Sequence, residues 1–184
     1  MVNKSNKKYV GTYIDLFSGC GGLSLGLGNA GWQGLFAVEK DPMAFSTFIH
    51  NMVDDNSKYA HFNWVDWLPK EATTIQKLLR KYPDQLAKLE GNIDLIAGGP
   101  PCQGFSLAGM RNSNDPRNKM SQEYIKMVGI IRPKFLLLEN VRGFNAVFKN
   151  GVGKAKKVPY SQIVKKAIEG LGYKVSKNYV HSEQ

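Results

Sequence analysis

Short apolar runs rich in β-branched and aromatic residues alternate along the chain with stretches in which apolar residues recur every three or four positions. The first pattern is typical of strands, and the second is typical of helices that bury one face. Strands are predicted at residues 9–17, 35–39, 62–65, 93–97, 134–139 and 173–180. Helices are predicted between them, at residues 23–30, 42–52, 70–81, 121–131 and 160–171. This alternation predicts an α/β fold with a doubly wound, mostly parallel sheet.

Local signals place several of the boundaries. Asp41 and Pro42 predict the N-cap and the first residue of the helix at 42–52. The helix at 70–81 should end before Pro83, because the residue before a proline avoids helical geometry. The KFLLLE run at 134–139 is apolar without interruption, which predicts a strand that is buried on both faces.

Composition narrows the class of protein. A length of 184 residues with 42% hydrophobic residues favours one compact domain, preceded by a flexible, basic N-terminus at residues 1–8. A formal net charge of +10 favours a polyanionic partner. We expect a cytoplasmic protein without membrane contact, because the sequence shows no signal peptide and no long apolar run. The two cysteines and three scattered histidines lack disulfide or metal-ligand spacing, so no metal site is predicted.

A glycine-rich loop, DLFSGCGG at 15–22, stands between the first predicted strand and the first predicted helix. Such a loop lets the backbone approach a nucleotide-like cofactor closely. Glu39 lies about 20 residues further on, where a carboxylate can accept hydrogen bonds from ribose hydroxyls. Asp66 is a candidate for binding an adenine amino group. The alternative is a purely structural glycine turn with ordinary surface carboxylates.

Two further motifs follow later strands. In GGPPCQGFS at 98–106, glycines and prolines present the Cys102 thiol as a nucleophile requires, whereas a structural cysteine sits inside an apolar element. In ENVRG at 139–143, Glu139 ends an apolar strand, where a carboxyl group is suited to donating a proton. The alternative for Glu139 is a capping role. In a parallel sheet these motifs and the glycine loop belong at one rim.

In this order and spacing, DLFSGCGGLSLG, GGPPCQGFS and ENVRGF, together with DPRNKM at 115–120, resemble the bacterial cytosine-5 DNA methyltransferase family. The resemblance covers about residues 13–180 and implies a Rossmann-like methyltransferase fold. It also implies that S-adenosylmethionine donates a methyl group to C5 of cytosine in double-stranded DNA, leaving S-adenosylhomocysteine. Cys102 would attack C6 of a flipped cytosine, Glu139 would contact N3 and the exocyclic amine, and Arg142 would lie near the thiolate.

The resemblance divides the chain into a cofactor half at residues 9–97 and a nucleophile and target-base half at residues 98–184. The expected cofactor-binding residues are Asp15, Phe17, Ser18, Gly19, Cys20, Gly21, Gly22, Leu23, Glu39, Lys40, Asp66, Trp67, Gly99 and Pro101. The residues expected to bind nucleic acid are Gln103, Ser106, Arg111, Arg117 and Asn140. The basic loop at 149–157 is expected to follow phosphates.

Members of this family usually continue into a Gln-Arg-rich motif, a further strand, a target-recognition region and an Asn-Val motif, which this sequence lacks. We therefore expect a fragment, or one subunit of a split restriction-modification enzyme, with the complementary segment supplied in trans. Alternatives are a transfer-RNA cytosine-5 methyltransferase and a catalytically silent binding subunit. A nicotinamide oxidoreductase shares the glycine loop only.

Overall fold

The computed structural model describes residues 8–101, 119–145 and 159–180, without the side chains of Lys119 and Arg142. The chain forms two compact units. The first contains Met1–Pro101 and Lys126–Asn140, and the second contains Cys102–Ile125 and Val141–Gln184.

The first unit is built on a four-stranded parallel sheet. Its strands are β1 (Thr12–Leu16), β2 (Gln33–Val38), β3 (Leu95–Gly98) and β4 (Phe135–Leu138), in the order β2-β1-β3-β4. Strand β1 is one of the two central strands, and its Tyr13, Ile14, Asp15 and Leu16 are fully buried. The predicted α/β fold with a parallel sheet is therefore confirmed.

Helices connect these strands. They are α1 (Gly22–Asn29), α2 (Pro42–Met52), α3 (Ile75–Lys81), α4 (Pro83–Ala87) and α5 (Lys119–Ile131), the last of which begins in the second unit. The predicted start of α2 is confirmed, because Asp41 Oδ1 accepts hydrogen bonds from the backbone amides of Met43 and Ala44, both at 2.9 Å. Helix α2 then buries Phe45, Phe48 and Met52.

The helix predicted at 70–81 begins later than expected. Helix α3 starts at Ile75, because the Thr74 hydroxyl caps it by accepting a hydrogen bond from the Lys77 amide at 3.2 Å. It ends at Lys81, before Pro83 as predicted, and Pro83 then opens the short helix α4, which the sequence analysis missed.

The strand predicted at 62–65 is wrong for the described chain, where this segment forms a single parallel bridge between Phe62 and Gly34. The ring of Phe62 covers Gly34 so closely that a β-carbon there would lie 2.3 Å from it. The segment then turns, because the indole Nε1 of Trp64 donates to the Leu68 carbonyl at 2.7 Å. Pairing therefore stops after a few hydrogen bonds.

The prediction that the run at 134–139 is buried on both faces is also wrong. Strand β4 lies at the end of the strand order, and Phe135 and Leu137 are 61% and 41% exposed. An uninterrupted apolar run therefore does not distinguish an outer strand from a central one here.

The second unit contains helix α6 (Tyr160–Gly170) and a short 3₁₀ helix (Arg142–Asn145). The Phe144 ring packs edge-on against Tyr160, with centroids 5.6 Å apart, and α6 buries Tyr160, Val164 and Ile168. The predicted strand at 173–180 is absent from the strands of the described chain. Within residues 8–101, 119–145 and 159–180, no helix combines the length and apolarity needed to cross a membrane.

A carboxylate at the amino-terminal edge of the sheet joins the beginnings of three strands. Asp94 Oδ2 accepts hydrogen bonds from the Thr12 amide at 2.9 Å and the Thr12 hydroxyl at 3.2 Å, and Oδ1 accepts one from Lys134 Nζ at 2.6 Å. The Lys134 ammonium, followed by the Thr12 amide, lowers the pKa of Asp94 below its ordinary value.

We predict that Asp94→Asn lowers the free energy of unfolding by about 1 kcal/mol at neutral pH, because the amide offers Lys134 no charge. A carboxylate with a lowered pKa stabilises the fold above its unfolded pKa of about 3.9 and loses this effect as the pH falls through the folded pKa. The difference between the two proteins should therefore be largest at neutral pH and shrink as the pH falls below about 3.9. Urea unfolding of both proteins at neutral pH and at a series of acidic pH values measures this difference in the free energy of unfolding. The exposed Asp55→Asn is the matched control, and a difference independent of pH would contradict this account.

Candidate cofactor and catalytic site

The glycine loop turns sharply at the carboxyl end of β1. The amides of Phe17 and Ser18 both donate to the Val38 carbonyl, at 2.8 and 3.1 Å, so the loop stays attached to β2. Phe17 has a φ of 63°, a backbone angle that residues other than glycine rarely adopt, and Gly21 has a φ of 99°. A β-carbon at Gly21 would also lie 3.0 Å from the Phe48 ring. The loop therefore needs glycine at position 21, and it holds backbone strain of the kind found at binding sites.

Two buried oxygens in this region lack partners in the described structure. The Ser24 hydroxyl donates to Asp15 Oδ2 at 2.6 Å, but Asp15 Oδ1 and Ser18 Oγ have no hydrogen-bond partner among the residues that the structure describes. Both side chains are at least nine-tenths buried. Buried polar atoms of native proteins are nearly always satisfied, so these two atoms indicate a place for polar groups of a ligand.

Burial also changes the acidity of Asp15. Removal from water raises the pKa of this carboxyl to about 7, against the opposing effect of the Ser24 hydrogen bond, and the nearby Glu39 charge raises it further. A buried acid that changes charge near neutral pH beside a glycine-rich loop is a sign of function.

Glu39 lies where the sequence predicted, directly after β2. Its Oε2 accepts a hydrogen bond from the Gly19 amide at 3.0 Å, and its Oε1 accepts from the amides of Lys40 and Asp41, both at 2.8 Å. Glu39 thus ties the glycine loop to the start of α2. A carboxylate offers about four acceptor positions, so one remains for a ligand hydroxyl.

The remaining predicted cofactor residues of this unit fall into two groups. Leu23 packs on a buried cluster that includes Tyr13 and Leu27, and the Trp67 ring packs edge-on against Phe36 at 5.6 Å. Lys40, Asp66 and Cys20 are exposed. Leu23 and Trp67 thus pack against the hydrophobic core. The roles of all five residues as cofactor ligands stay predictions.

The exits of β3 and β4 contact each other. The Glu139 amide donates to the Gly98 carbonyl at 3.0 Å, and Asn140 Nδ2 donates to the Pro100 carbonyl at 3.2 Å. A β-carbon at Gly99 would lie 2.9 Å from Glu139 Oε2, so a side chain there would displace the carboxylate. Glu139 is thus placed against the stretch that leads to Cys102.

Several predicted residues lie outside the described part of the chain. These are Cys102, Gln103, Ser106, Arg111 and Arg117, with the basic loop at 149–157, and the Arg142 side chain is likewise not described. Among the described residues, no group of three or more His, Cys, Asp or Glu side chains could hold a metal ion.

Sequence analysis missed a buried polar link behind the glycine loop. The Tyr13 hydroxyl lies 2.6 Å from His61 Nε2, and His61 Nδ1 lies 2.7 Å from the Tyr59 carbonyl. A β-carbon at Gly28 would lie 2.7 Å from the His61 ring, so α1 and residues 59–61 are closely packed. No local pattern in the sequence signals this link, because Tyr13 and His61 are 48 positions apart.

Solved structures share this architecture. The chain is similar to a DNA modification methyltransferase encoded within an E. coli prophage, with a TM-score of 0.57, 32% sequence identity, and coverage of 86% of this chain and 36% of that one. It is also similar to S. pombe Dnmt2 methyltransferase, with a TM-score of 0.55 and 20% identity over 87% of this chain and 42% of that one, a likeness of fold alone. The predicted Rossmann-like methyltransferase fold is confirmed.

Proteins with similar sequences are also methyltransferases. Type II methyltransferase M.DdeI of Desulfomicrobium norvegicum is 36% identical over 163 residues, which is 88% of this chain and 34% of that protein. Type II methyltransferase M1.HphI of Haemophilus parahaemolyticus is 37% identical over 169 residues, which is 89% of this chain and 39% of that protein. The chain thus spans about a third to two fifths of the length of these relatives. Residues 11–184 match the family model for C-5 cytosine-specific DNA methylases, and the chain therefore belongs to that family.

Proposed function

We propose that this chain carries the cofactor-binding and catalytic part of an enzyme that methylates C5 of cytosine in DNA. The observation that carries this proposal is that a candidate group follows every strand of the sheet. The glycine loop follows β1, Glu39 follows β2, Gly99 follows β3 and Glu139 follows β4. Ligands of parallel α/β sheets bind beyond these carboxyl ends.

S-adenosylmethionine fits the groups around the glycine loop. Asp15 Oδ1 and Ser18 Oγ need polar partners, and the ammonium group and ribose hydroxyls of this cofactor are donors. A β-carbon at Gly19 or Gly22 would meet no described atom within 4 Å, so open space lies beside the loop. Phe17, Gly21 and Glu39 complete the proposed site. Once bound, the cofactor supplies an electrophilic methyl group.

The proposed chemistry begins with the Cys102 thiolate, which adds to C6 of cytosine and makes C5 nucleophilic. Glu139 hydrogen-bonds N3 and the exocyclic amine and stabilises the charge that develops on the ring. After C5 has gained the methyl group, it loses its proton to a base, and Cys102 leaves C6 by elimination. Arg142 is proposed to favour the thiolate by its positive charge.

The substrate is proposed to be duplex DNA from which the target cytosine is flipped, because C6 cannot be reached inside the stack. The net charge of +10 suits a polyanion, and we propose that Gln103, Ser106, Arg111 and Arg117 contact it. The chain spans only part of its relatives, so we further propose that a complementary segment or subunit supplies target recognition.

We predict that the affinity for S-adenosylmethionine rises about tenfold between about pH 6 and pH 8. The Asp15 carboxyl, with a pKa of about 7, is largely neutral at the lower pH, whereas a cationic cofactor favours the carboxylate. Binding should therefore release a proton at about pH 6. Isothermal titration calorimetry in two buffers with different ionisation enthalpies measures both the affinity and the proton.

In Asp15→Asn this rise and the proton release should be absent. Any titration of the cofactor itself is common to both proteins, so the difference between them isolates Asp15. Asp55→Asn, which changes an exposed carboxylate, should behave as the wild type does. An unchanged pH profile in Asp15→Asn would remove Asp15 from the proposed site.

We predict that duplex DNA containing 5-fluorocytosine, incubated with S-adenosylmethionine and this chain, gives an adduct that survives denaturation. Fluorine at C5 cannot leave as a proton does, so the Cys102–C6 bond persists. Cys102→Ser should give no adduct, and Glu139→Gln should form it about a hundredfold more slowly. Gel electrophoresis in denaturant measures the rate, and the exposed Glu90→Gln is the matched control.

Each outcome has a distinct meaning. An adduct that appears only after the downstream region of a relative is added would show that the chain needs a complement. An adduct with 5-fluorocytosine-containing transfer RNA instead of DNA would assign the RNA substrate. No adduct under any of these conditions would contradict the proposed function.

A further inference from the structure

We propose that Asn140 is a positioning residue, whose side chain holds the backbone that leads to the nucleophile. This inference rests on the proposed function, because it concerns the placement of Cys102. Its basis is the hydrogen bond that Asn140 Nδ2 donates to the Pro100 carbonyl at 3.2 Å, between residues that are 40 positions apart in the sequence.

The need for such a bond follows from the two prolines. Backbone pairing of β3 with β4 extends one residue beyond the strands, through the Glu139 amide and the Gly98 carbonyl. Pro100 and Pro101 have no N–H group, so the stretch cannot donate from these positions to a neighbouring strand. Pro100 is buried, and its carbonyl still needs a donor. The Asn140 amide supplies that donor.

Glu139 and Asn140 contact successive residues of the opposite stretch. The Glu139 carboxylate lies against Gly99, and the Asn140 amide binds Pro100. The two side chains thereby fix the register between the exits of β3 and β4. Cys102 follows Pro100 by two residues in the sequence, so the proposed anchor acts on the backbone that leads directly to the nucleophile.

The chemistry of the amide explains the residue type. An aspartate of the same shape accepts hydrogen bonds but donates none when it is ionised, so it cannot bind a carbonyl oxygen. Asn140 was expected from the sequence to contact nucleic acid. The donation to Pro100 shows that one of its N–H groups already serves the protein, which favours the positioning role.

The test compares Asn140→Asp and Asn140→Ala with the wild type and with Asn92→Ala. Asn92 is the matched control, because its Nδ2 also donates to backbone carbonyls, those of Lys88 and Glu90 at 3.3 and 3.2 Å. The first measurement is the rate at which iodoacetamide alkylates Cys102 relative to Cys20, resolved by mass spectrometry. The chain has two cysteines, so Cys20 serves as the internal standard.

We expect the Cys102 to Cys20 rate ratio to rise at least threefold in both Asn140 variants, since loss of the bond to Pro100 removes a restraint on the backbone that leads to Cys102, and to stay constant in Asn92→Ala. The second measurement is formation of the 5-fluorocytosine adduct at saturating DNA. Its rate should fall tenfold or more, because a small misplacement of a reacting group costs this much. Dissociation constants for DNA and S-adenosylmethionine should stay within twofold.

An unchanged alkylation ratio in variants that melt at the temperature of Asn92→Ala would overturn the proposal. Weaker DNA binding with an unchanged ratio would also overturn it and would return Asn140 to a nucleic-acid contact. If the wild type forms no adduct, the proposed activity of this chain fails, but the alkylation ratio still decides the role of Asn140.

Discussion

Parallel hydrogen bonding aligns the last residues of the four strands in one row. Leu16 pairs with both Val38 and Gly98, and Gly98 pairs with Leu138. Because a parallel ladder fixes every residue against its neighbours, the positions that follow this row are brought together regardless of their distance in sequence. Those positions are Phe17, Glu39, Gly99 and Glu139. The glycine loop after β1 and the stretch of residues 98–101 at the end of β3 both depend on that register.

Two acidic side chains near these strand ends have opposite effects on the stability of the fold. Glu39 accepts three backbone hydrogen bonds, which organise the glycine loop before any ligand arrives. Asp15, near the end of β1, has one carboxylate oxygen without a partner among the described residues, and burial raises its pKa to about 7. Its ionisation therefore lowers the stability of the fold progressively as the pH rises from about 4 to about 7. A fold retains such a group when another part of its function needs the charge. Glu39 therefore organises the glycine loop, whereas Asp15 carries a buried oxygen that no described residue satisfies.

The sequence was sufficient at several places where local chemistry determines structure. Asp41 and Pro42 gave the start of α2, and the glycine loop gave the turn after β1. Prediction from the sequence failed where contacts with residues distant in the sequence determine the structure. The Phe62 segment has strand composition, but in the described chain it forms a single bridge, to Gly34, and only a few backbone hydrogen bonds to β2. Asp94 joins three strand starts through Thr12, which is 82 residues away, and no periodicity reveals such a bond. Apolarity likewise could not show that β4 is an outer strand.

The position of residues 98–101 depends on contacts from a neighbouring segment, because of the composition of this stretch. Gly99 has no side chain to pack, and Pro100 and Pro101 have no N–H groups to pair, so the stretch has few means of fixing its own position. Its backbone can still accept hydrogen bonds through the carbonyl oxygens, and the donors for these bonds come from other segments. The segment after β4 supplies an amide from Asn140, while the Glu139 carboxylate occupies the space that a β-carbon at Gly99 would fill. The Glu-Asn pair and the Gly-Gly-Pro-Pro stretch therefore hold each other in register at the exits of β3 and β4.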